Sequence, residues 1–574
     1  MKKRLLALLL ACAMMLALAA CGGSEAASSA PAEESVAVSE AAPEAAPEAA
    51  PEAAPEAAPE APVEESVVEE PAEPEEPAHV LPLTEEDITF HLFTGMNPNL
   101  MTYIEDYTAT AIIRWLTETT GVKVNIPAVH PATEAEQWTL MIASGDYADF
   151  LCSLGNYTGG AQGALDDEIV YDLNDMQEYM PYFYNMLETY PEVYKNCKLD
   201  SGSMPATYRV VSGDYYPADA GMLVRADWLK ALDLEVPTTY DEYHDVLKAF
   251  KSEYDATMWM SGSGTSTLSL GYNIRAGYTF GRDSGLDCFT LEDGKVQCGF
   301  YTEEFKEYLT MIQSWMEEGL IDRDYFTYSC DFVNSDGNAF QAVTTGKHGI
   351  WKEEANGFAA YDSYEMELVA APYARHNADD MITVDGGKSR VDGIQFAIAT
   401  TCEHPELAAE WLDMWYSPEA EVVANWGLEG EGFEYDENGE PHYTELVTNN
   451  PDGLAMNFAR ELYAAPTGGY MYNMQTVYSL WNDAQIAAAE LWCTNISGEN
   501  QLPTYMSMTT EESEQFSAIS GDLITYVSET LSKLMLGELN LEGDLDTFIQ
   551  TTKDMGMEDL MEIQQAAYDR YLER

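Results

Sequence analysis

Tryptophan and tyrosine are the side chains here best suited to meeting a ligand: the chain has 11 of the first and 36 of the second. Flat rings stack on apolar C–H faces, while amides and carboxylates bond a polar rim. A molecule with ring faces and hydroxyl edges, such as a sugar, needs both. Bond-breaking chemistry has less to draw on. There is no Gly-x-Ser-x-Gly elbow and no His-Glu-x-x-His pair, and the eight histidines form no close cluster. With 100 acidic residues, any pair of carboxylates can be nominated, and none is informative. No catalytic residue, cofactor or metal site is assigned.

Ten residues are candidates for ligand contact. Asn97 and Asn99 follow an alternating apolar run, although Asn-Pro-Asn is also ordinary turn chemistry. Asp146, in Ser144-Gly145-Asp146, reads equally well as a turn former. Asn156 and Tyr157 follow a further short apolar segment. Trp351 precedes the charged Lys352-Glu353-Glu354, which points to the mouth of a site rather than a core. Trp426 and Glu429 sit in a glycine-flanked loop, where Glu429-Gly430-Glu431-Gly432 also suits a plain hairpin. Tyr278 and Trp481 complete the set.

These residues need elements to position them. Asp87–Phe93 alternates as a first strand, and a helix follows over 108–119. Gly121–Ile126 reads as a second strand, 136–144 as a helix and Asp149–Ser153 as a short buried strand. That order opens an α/β domain with a largely parallel sheet. Ligands of such sheets gather beyond the carboxyl ends of the strands, where Asn97, Asn99, Asn156 and Tyr157 fall. Further helices are expected over 239–254, with Thr239 as N-cap and Glu242 closing a capping box, and over 302–318, stopped by Gly319. Others fall at 404–416, 513–537 and 557–572.

The N-terminus is of a different kind. Lys2, Lys3 and Arg4 precede the apolar run Leu5–Leu18, a secretory pattern. Leu18-Ala19-Ala20-Cys21 resembles the lipobox of bacterial lipoproteins, a family in which the cysteine is lipidated and becomes the mature N-terminus. A plain signal peptide cut at an alanine is the other reading. After Gly22-Gly23, residues 24–78 are Ala, Pro, Glu, Ser and Val, with Pro-Glu-Ala-Ala repeating between Pro43 and Ala61. Regular prolines and mutually repelling glutamates predict an extended spacer, reaching on the order of 150 Å. No later segment has the ~18 apolar residues of a membrane span. The formal charge of −73 argues against nucleic acid and anionic lipid surfaces as partners.

Several segments together resemble extracellular solute-binding proteins of the maltose- and oligosaccharide-binding group. They are Thr119-Thr120-Gly121-Val122-Lys123-Val124, Met141–Asp149 (with Ala148 where proline is usual) and Val224–Leu229. Val236–Glu242, Glu317–Asp322, Gly346–Trp351, Trp426–Gly430 and Ala566–Tyr571 follow in the same order. The resemblance covers nearly all of 85–574. It implies an α/β, two-lobed periplasmic-binding-protein-like (type II) fold with a hinge and an interlobe ligand cleft. It also implies an ABC transporter permease as partner, a lipid anchor on the extracellular face and a monomer that is not an enzyme.

The expected organisation is a signal over 1–20, the lipidated cysteine and linker over 21–80, and the two-lobed body over 85–574. An oligosaccharide suits the aromatic content best, with a peptide or another small molecule as alternatives. A secreted glycan-active enzyme, an adhesin and a sensor are the rival functions. Seven cysteines remain outside the signal and Cys21, an odd number that argues against a full disulfide framework. Cys288 and Cys298 flank the turn signal Asp293-Gly294; a three-residue loop would set them opposite each other and a two-residue loop would not.

Overall fold

The computed structural model describes residues 78–260, 274–281, 286, 288–325, 338–361, 364–383 and 389–574. The expected signal, Cys21 and the linker to residue 77 lie outside them. Glu76–Arg574 is one compact unit. It is entered before residue 85: His79 Nε2 meets the buried Asp413 carboxylate at 2.7 Å, and Leu83 N–H donates to Thr120 O at 2.9 Å.

In chain order, β1 (Thr89–Phe93), β2 (Lys123–Asn125) and β3 (Phe150–Leu151) come first. β4 (Tyr208–Ser212) leads to β5 (Ala220–Arg225), β6 (Thr257–Met258), the hairpin β7 (Phe289–Glu292) and β8 (Lys295–Cys298), β9 (His348–Glu354) and β10 (Leu368–Ala371). Then follow β11 (Val391–Ile394), β12 (Ala397–Ile398), the hairpin β13 (Phe433–Tyr435) and β14 (Pro441–Tyr443), and β15 (Met471–Asn473).

The first lobe is built on the sheet β12-β3-β1-β2, with β1 parallel to both neighbours and β12 antiparallel. Helices Ala111–Thr120 and Pro131–Ser144 connect its parallel strands, as strand–helix–strand alternation requires. Alternation along β1 buries Phe90 and Leu92 and leaves Thr89 and His91 exposed. The first helix stops at Gly121, whose φ of +77° is left-handed; a Cβ there would lie 2.5 Å from Thr84 O.

The second lobe is built on β10-β5-β9-β6, in which every residue of β5 is buried. Only β6 and β9 run parallel in it, so the parallel order expected from the first 150 residues is not continued. Helix Tyr240–Tyr254 carries the capping box on Thr239 and Glu242. Backbone N–H groups of Thr239 and Thr238 hold the Glu242 carboxyl below its usual range. Separate buried clusters fill the two lobes.

The described chain passes between the lobes three times, and the three passages lie side by side. β11 pairs antiparallel with β4 through Val391 and Val210, and β15 pairs parallel with β4 from Met471–Val210 to Asn473–Ser212. A second connection crosses beside this sheet. Arg574, the C-cap of the second-lobe helix Met557–Glu573, donates to Asp200 Oδ1 (2.7 Å) and to the carbonyls of Lys198 and Tyr505 (2.8 Å each). Arg570 bonds the same Asp200 at 2.8 Å. Asp200 follows helix Pro191–Cys197, which packs in the first lobe.

The β7–β8 turn has two residues, Asp293 and Gly294, so Cys298 faces Phe289 and not Cys288. The two sulfurs nevertheless come within 3.6 Å, in a thiol–thiol hydrogen bond rather than a disulfide.

Two stability predictions follow from these contacts. Arg574 is 2% and Asp200 13% exposed, so Arg574→Ala removes one of two guanidinium partners from a nearly buried carboxylate, leaves Arg570 as the other, and lowers unfolding free energy by about 2 kcal/mol. Arg574→Lys recovers only part, because lysine lacks the planar fork; urea unfolding measures both. Glu353, 3% exposed, accepts bonds from Tyr361 Oη (2.7 Å) and Glu354 N (3.0 Å), yet burial pushes its carboxyl up to about 7. The folded chain then keeps a proton that the unfolded chain releases above its ordinary value of 4.5. Stability therefore falls as pH rises from about 4.5 through about 7, by roughly 2–3 kcal/mol. Glu353→Gln flattens that slope in urea midpoints taken at pH 5 and pH 8.

Candidate ligand-binding cleft

Where β4 leaves the first lobe, the chain continues through Gly213-Asp214-Tyr215-Tyr216 to β5. Where β15 leaves it, the short helix Gln475–Tyr478 begins. These two passages are tied together: Tyr216 N–H donates to Tyr478 Oη at 2.9 Å, and Gln475 Nε2 donates to Asp214 O at 3.2 Å. Beside them opens a cleft of about 1000 Å³. Trp426 and the β13–β14 residues Asp436, Glu440 and His442 line it from the first lobe. Tyr478, Ser479 and Ile486 line it from the second, and Asp214, Tyr215, Tyr216, Asn473 and Gln475 from the passages. It touches both lobes and the strands joining them.

Rings dominate two of its sides. Tyr216 stacks on Trp481 with centroids 6.2 Å apart and planes at 13°, and Tyr478 packs against Trp481 at 4.6 Å. The indole is held in that plane by its N–H, which donates to Asn356 Oδ1 at 2.5 Å. Asn356 rides on the 3-10 helix Ala355–Tyr361, directly after β9. On the first-lobe side Trp426 leans on Tyr443 at 4.8 Å and on Phe433 at 6.4 Å.

The buried Asn425 fixes Trp426 to the joining strand. Its Oδ1 accepts from Asn473 N at 2.8 Å, and its Nδ2 donates to Met471 O at 2.7 Å. Gly427 then turns the chain at φ +92°, where a Cβ would fall 2.0 Å from Tyr463 O. Past Tyr443 the wall becomes polar: Arg209 and Arg460 lie 5.3 and 5.6 Å from the Tyr472 ring centre. Burial raises the Glu461 carboxyl, which accepts from Asn97 Nδ2 at 2.9 Å.

Of the ten candidates, Trp426 lines the cleft and Trp481 backs its Tyr216 wall. Asn97 and Asn99 bond each other, and Asn97 also meets Tyr107 and Glu461, so this loop joins the first-lobe wall without lining the cleft. Asp146 is exposed, with its N–H on Ser144 Oγ, which is turn chemistry. Asn156 is exposed, and Tyr157 donates to Asp167 at 2.8 Å; neither lines the cleft. Glu429 is exposed at the foot of the β13–β14 hairpin, bridged to Phe433.

Two candidates are corrected. Trp351 is 0% exposed, because β9 runs on through Glu354 and the two-residue period turns Trp351 and Glu353 to buried positions. Tyr278, 5% exposed, belongs to a core cluster with Tyr240, Phe280 and Tyr308. The sequence reading missed Tyr215, Tyr216, Tyr478, Asn356 and the tip of the β13–β14 hairpin. Its available signal was Asp214-Tyr215-Tyr216-Pro217, adjacent rings and a proline between two apolar strands.

Comparison with known proteins agrees with this architecture. The curated relatives include the fructooligosaccharide ABC transporter substrate-binding protein FusA of Streptococcus pneumoniae. It is 23% identical over 491 residues, covering 80% of this chain and 87% of FusA. Lipoprotein LipO of Bacillus subtilis is 23% identical over 354 residues, covering 59% of this chain and 66% of LipO. Among solved structures, an HMO-binding solute-binding protein from Bifidobacterium longum infantis superposes with a TM-score of 0.70 at 19% identity, over 84% of this chain and 99% of that one. The model of the bacterial extracellular solute-binding protein family matches residues 99–422, more than half of the sequence, and the chain belongs to that family.

Proposed function

We propose that this protein captures an oligosaccharide in the cleft beside the joining strands and delivers it to an ABC transporter permease. The observation that carries the proposal is the cleft's make-up: rings from both lobes, with amides and carboxylates between them, around about 1000 Å³. That is the upper end of small-ligand pocket size, with room for more than one sugar ring. Trp426 and Tyr216 are the stacking surfaces, Asn356 and Trp481 hold Tyr216 in place, and Asn473 and Gln475 supply polar contacts. The fructooligosaccharide and HMO binders among its relatives support the choice of ligand. The protein works as a monomer and releases its ligand unchanged. It is anchored through lipidated Cys21 and held off the membrane by the proline-rich spacer.

Three measurements test this. A thermal-shift and calorimetry panel of fructo-, galacto-, malto- and xylo-oligosaccharides, peptides and amines finds an oligosaccharide whose quantity is unchanged after incubation. A ligand at ~100 times its dissociation constant stabilises the fold by ~2.7 kcal/mol. A shift with peptides alone, or consumption of the sugar, refutes the reading. Trp426→Ala and Tyr216→Ala each remove about 2 kcal/mol of stacking and burial, weakening binding roughly thirtyfold, while Trp426→Phe keeps part of it. Cys21→Ser moves the protein from the membrane fraction to the medium in cell fractionation.

A further inference from the structure

The charge of the cleft bears on which oligosaccharides it admits. Its lining holds three carboxylates (Asp214, Asp436 and Glu440) and one imidazole, with no lysine or arginine. The imidazole of His442 sits 3.6 Å from Asp436, so it faces an acid already present. Backbone N–H groups of Glu440 and Asn438, both at 2.8 Å, hold the Asp436 carboxyl below its usual range, which keeps it ionised.

The nearest cations are engaged elsewhere. Arg209 grips Asp392 through Nε at 2.9 Å and Nη2 at 2.6 Å. Arg390 donates to the carbonyls of Val211 and Gly213 at 3.0 Å each and leans on the Tyr215 ring. Arg114 is bound to Glu431, and Arg460 lies 5.6 Å from the Tyr472 ring centre with its charge acting on Glu461. A ligand carboxylate entering here would lose hydration, find no guanidinium in the lining and meet charges of its own sign within a Debye length of ~8 Å.

We propose that the cleft is selective for uncharged oligosaccharides, and that Asp214 and Glu440 exclude chains bearing uronate, sialate or sulfate groups. The proposal rests on the reading of this cleft as an oligosaccharide site. Both residues are exposed, so their neutral variants keep the fold.

The test is calorimetry on the mature protein with matched pairs: oligogalactose against oligogalacturonate, and lactose-based oligosaccharides with and without sialate. The neutral member is expected to bind at least tenfold tighter. The gap narrows as salt is raised from 20 to 500 mM (about 20 to 4 Å of screening length). It also narrows in the Asp214→Asn/Glu440→Gln double variant, through a gain by the acidic member. An acidic member that binds as tightly as its neutral partner overturns the selectivity, as does a gap unmoved by both salt and the double variant. If no oligosaccharide of either charge binds, the oligosaccharide reading itself falls, which is a different result.

Discussion

Val210 has a hydrogen-bonded strand on each side, Val391 on one and Met471 on the other, and the proposed cleft is arranged around that fact. Polypeptide running between two lobes exposes backbone groups that must find partners. Here the three passages satisfy one another, so the lobes are joined by a small sheet rather than by loose linkers. A sheet bends and twists more readily than it shears, because shear would break its ladder, and this suits it to act as the pivot of a hinge. Arg574 and Arg570 reach across to Asp200 beside the same sheet, adding a charged contact between the lobes near the pivot.

The cleft inherits its position from this sheet. β4 and β15 are adjacent, so the segments that leave them, Asp214–Tyr216 and Gln475–Tyr478, emerge together and form a shared floor. Asn425 bonds the last strand on both sides of Tyr472, and so places Trp426 at the edge of that floor. From the second lobe, Asn356 and Trp481 set the plane of Tyr216. Each ring is therefore backed by a polar contact, which would order the proposed stacking surfaces in advance of a ligand.

Local signals carried much of the fold. Alternation through Phe90 and Leu92 and the capping box on Thr239 and Glu242 appear in the structure close to where their patterns put them, since each depends on residues within one turn or one strand. The motifs in their order were enough for the family. Individual contacts were harder to read. The charges after Trp351 point to the mouth of a site, but its strand pairs with β5 as far as Glu354 and buries Glu353 as well. Tyr278 and Trp481 are the same kind of aromatic guess, and only the packing separates a core ring from one behind a cleft wall.

By itself the sequence determined the local matters: helices and caps, the succession of the first three strands, the excess of acid, and the secretory and lipobox pattern with its proline-rich spacer. These follow from periodicity, from side-chain types a few residues apart and from composition. The tertiary structure alone decided that residues 214–216, 426, 436, 440–442, 473, 475, 478, 479 and 486 line one cleft, with Asn356 and Trp481 behind its Tyr216 wall. Those residues come together through the pairing of β4 with β15 and the packing of two lobes. Such contacts are set by the balance of burial and backbone bonding over the whole chain, which no short window of residues contains.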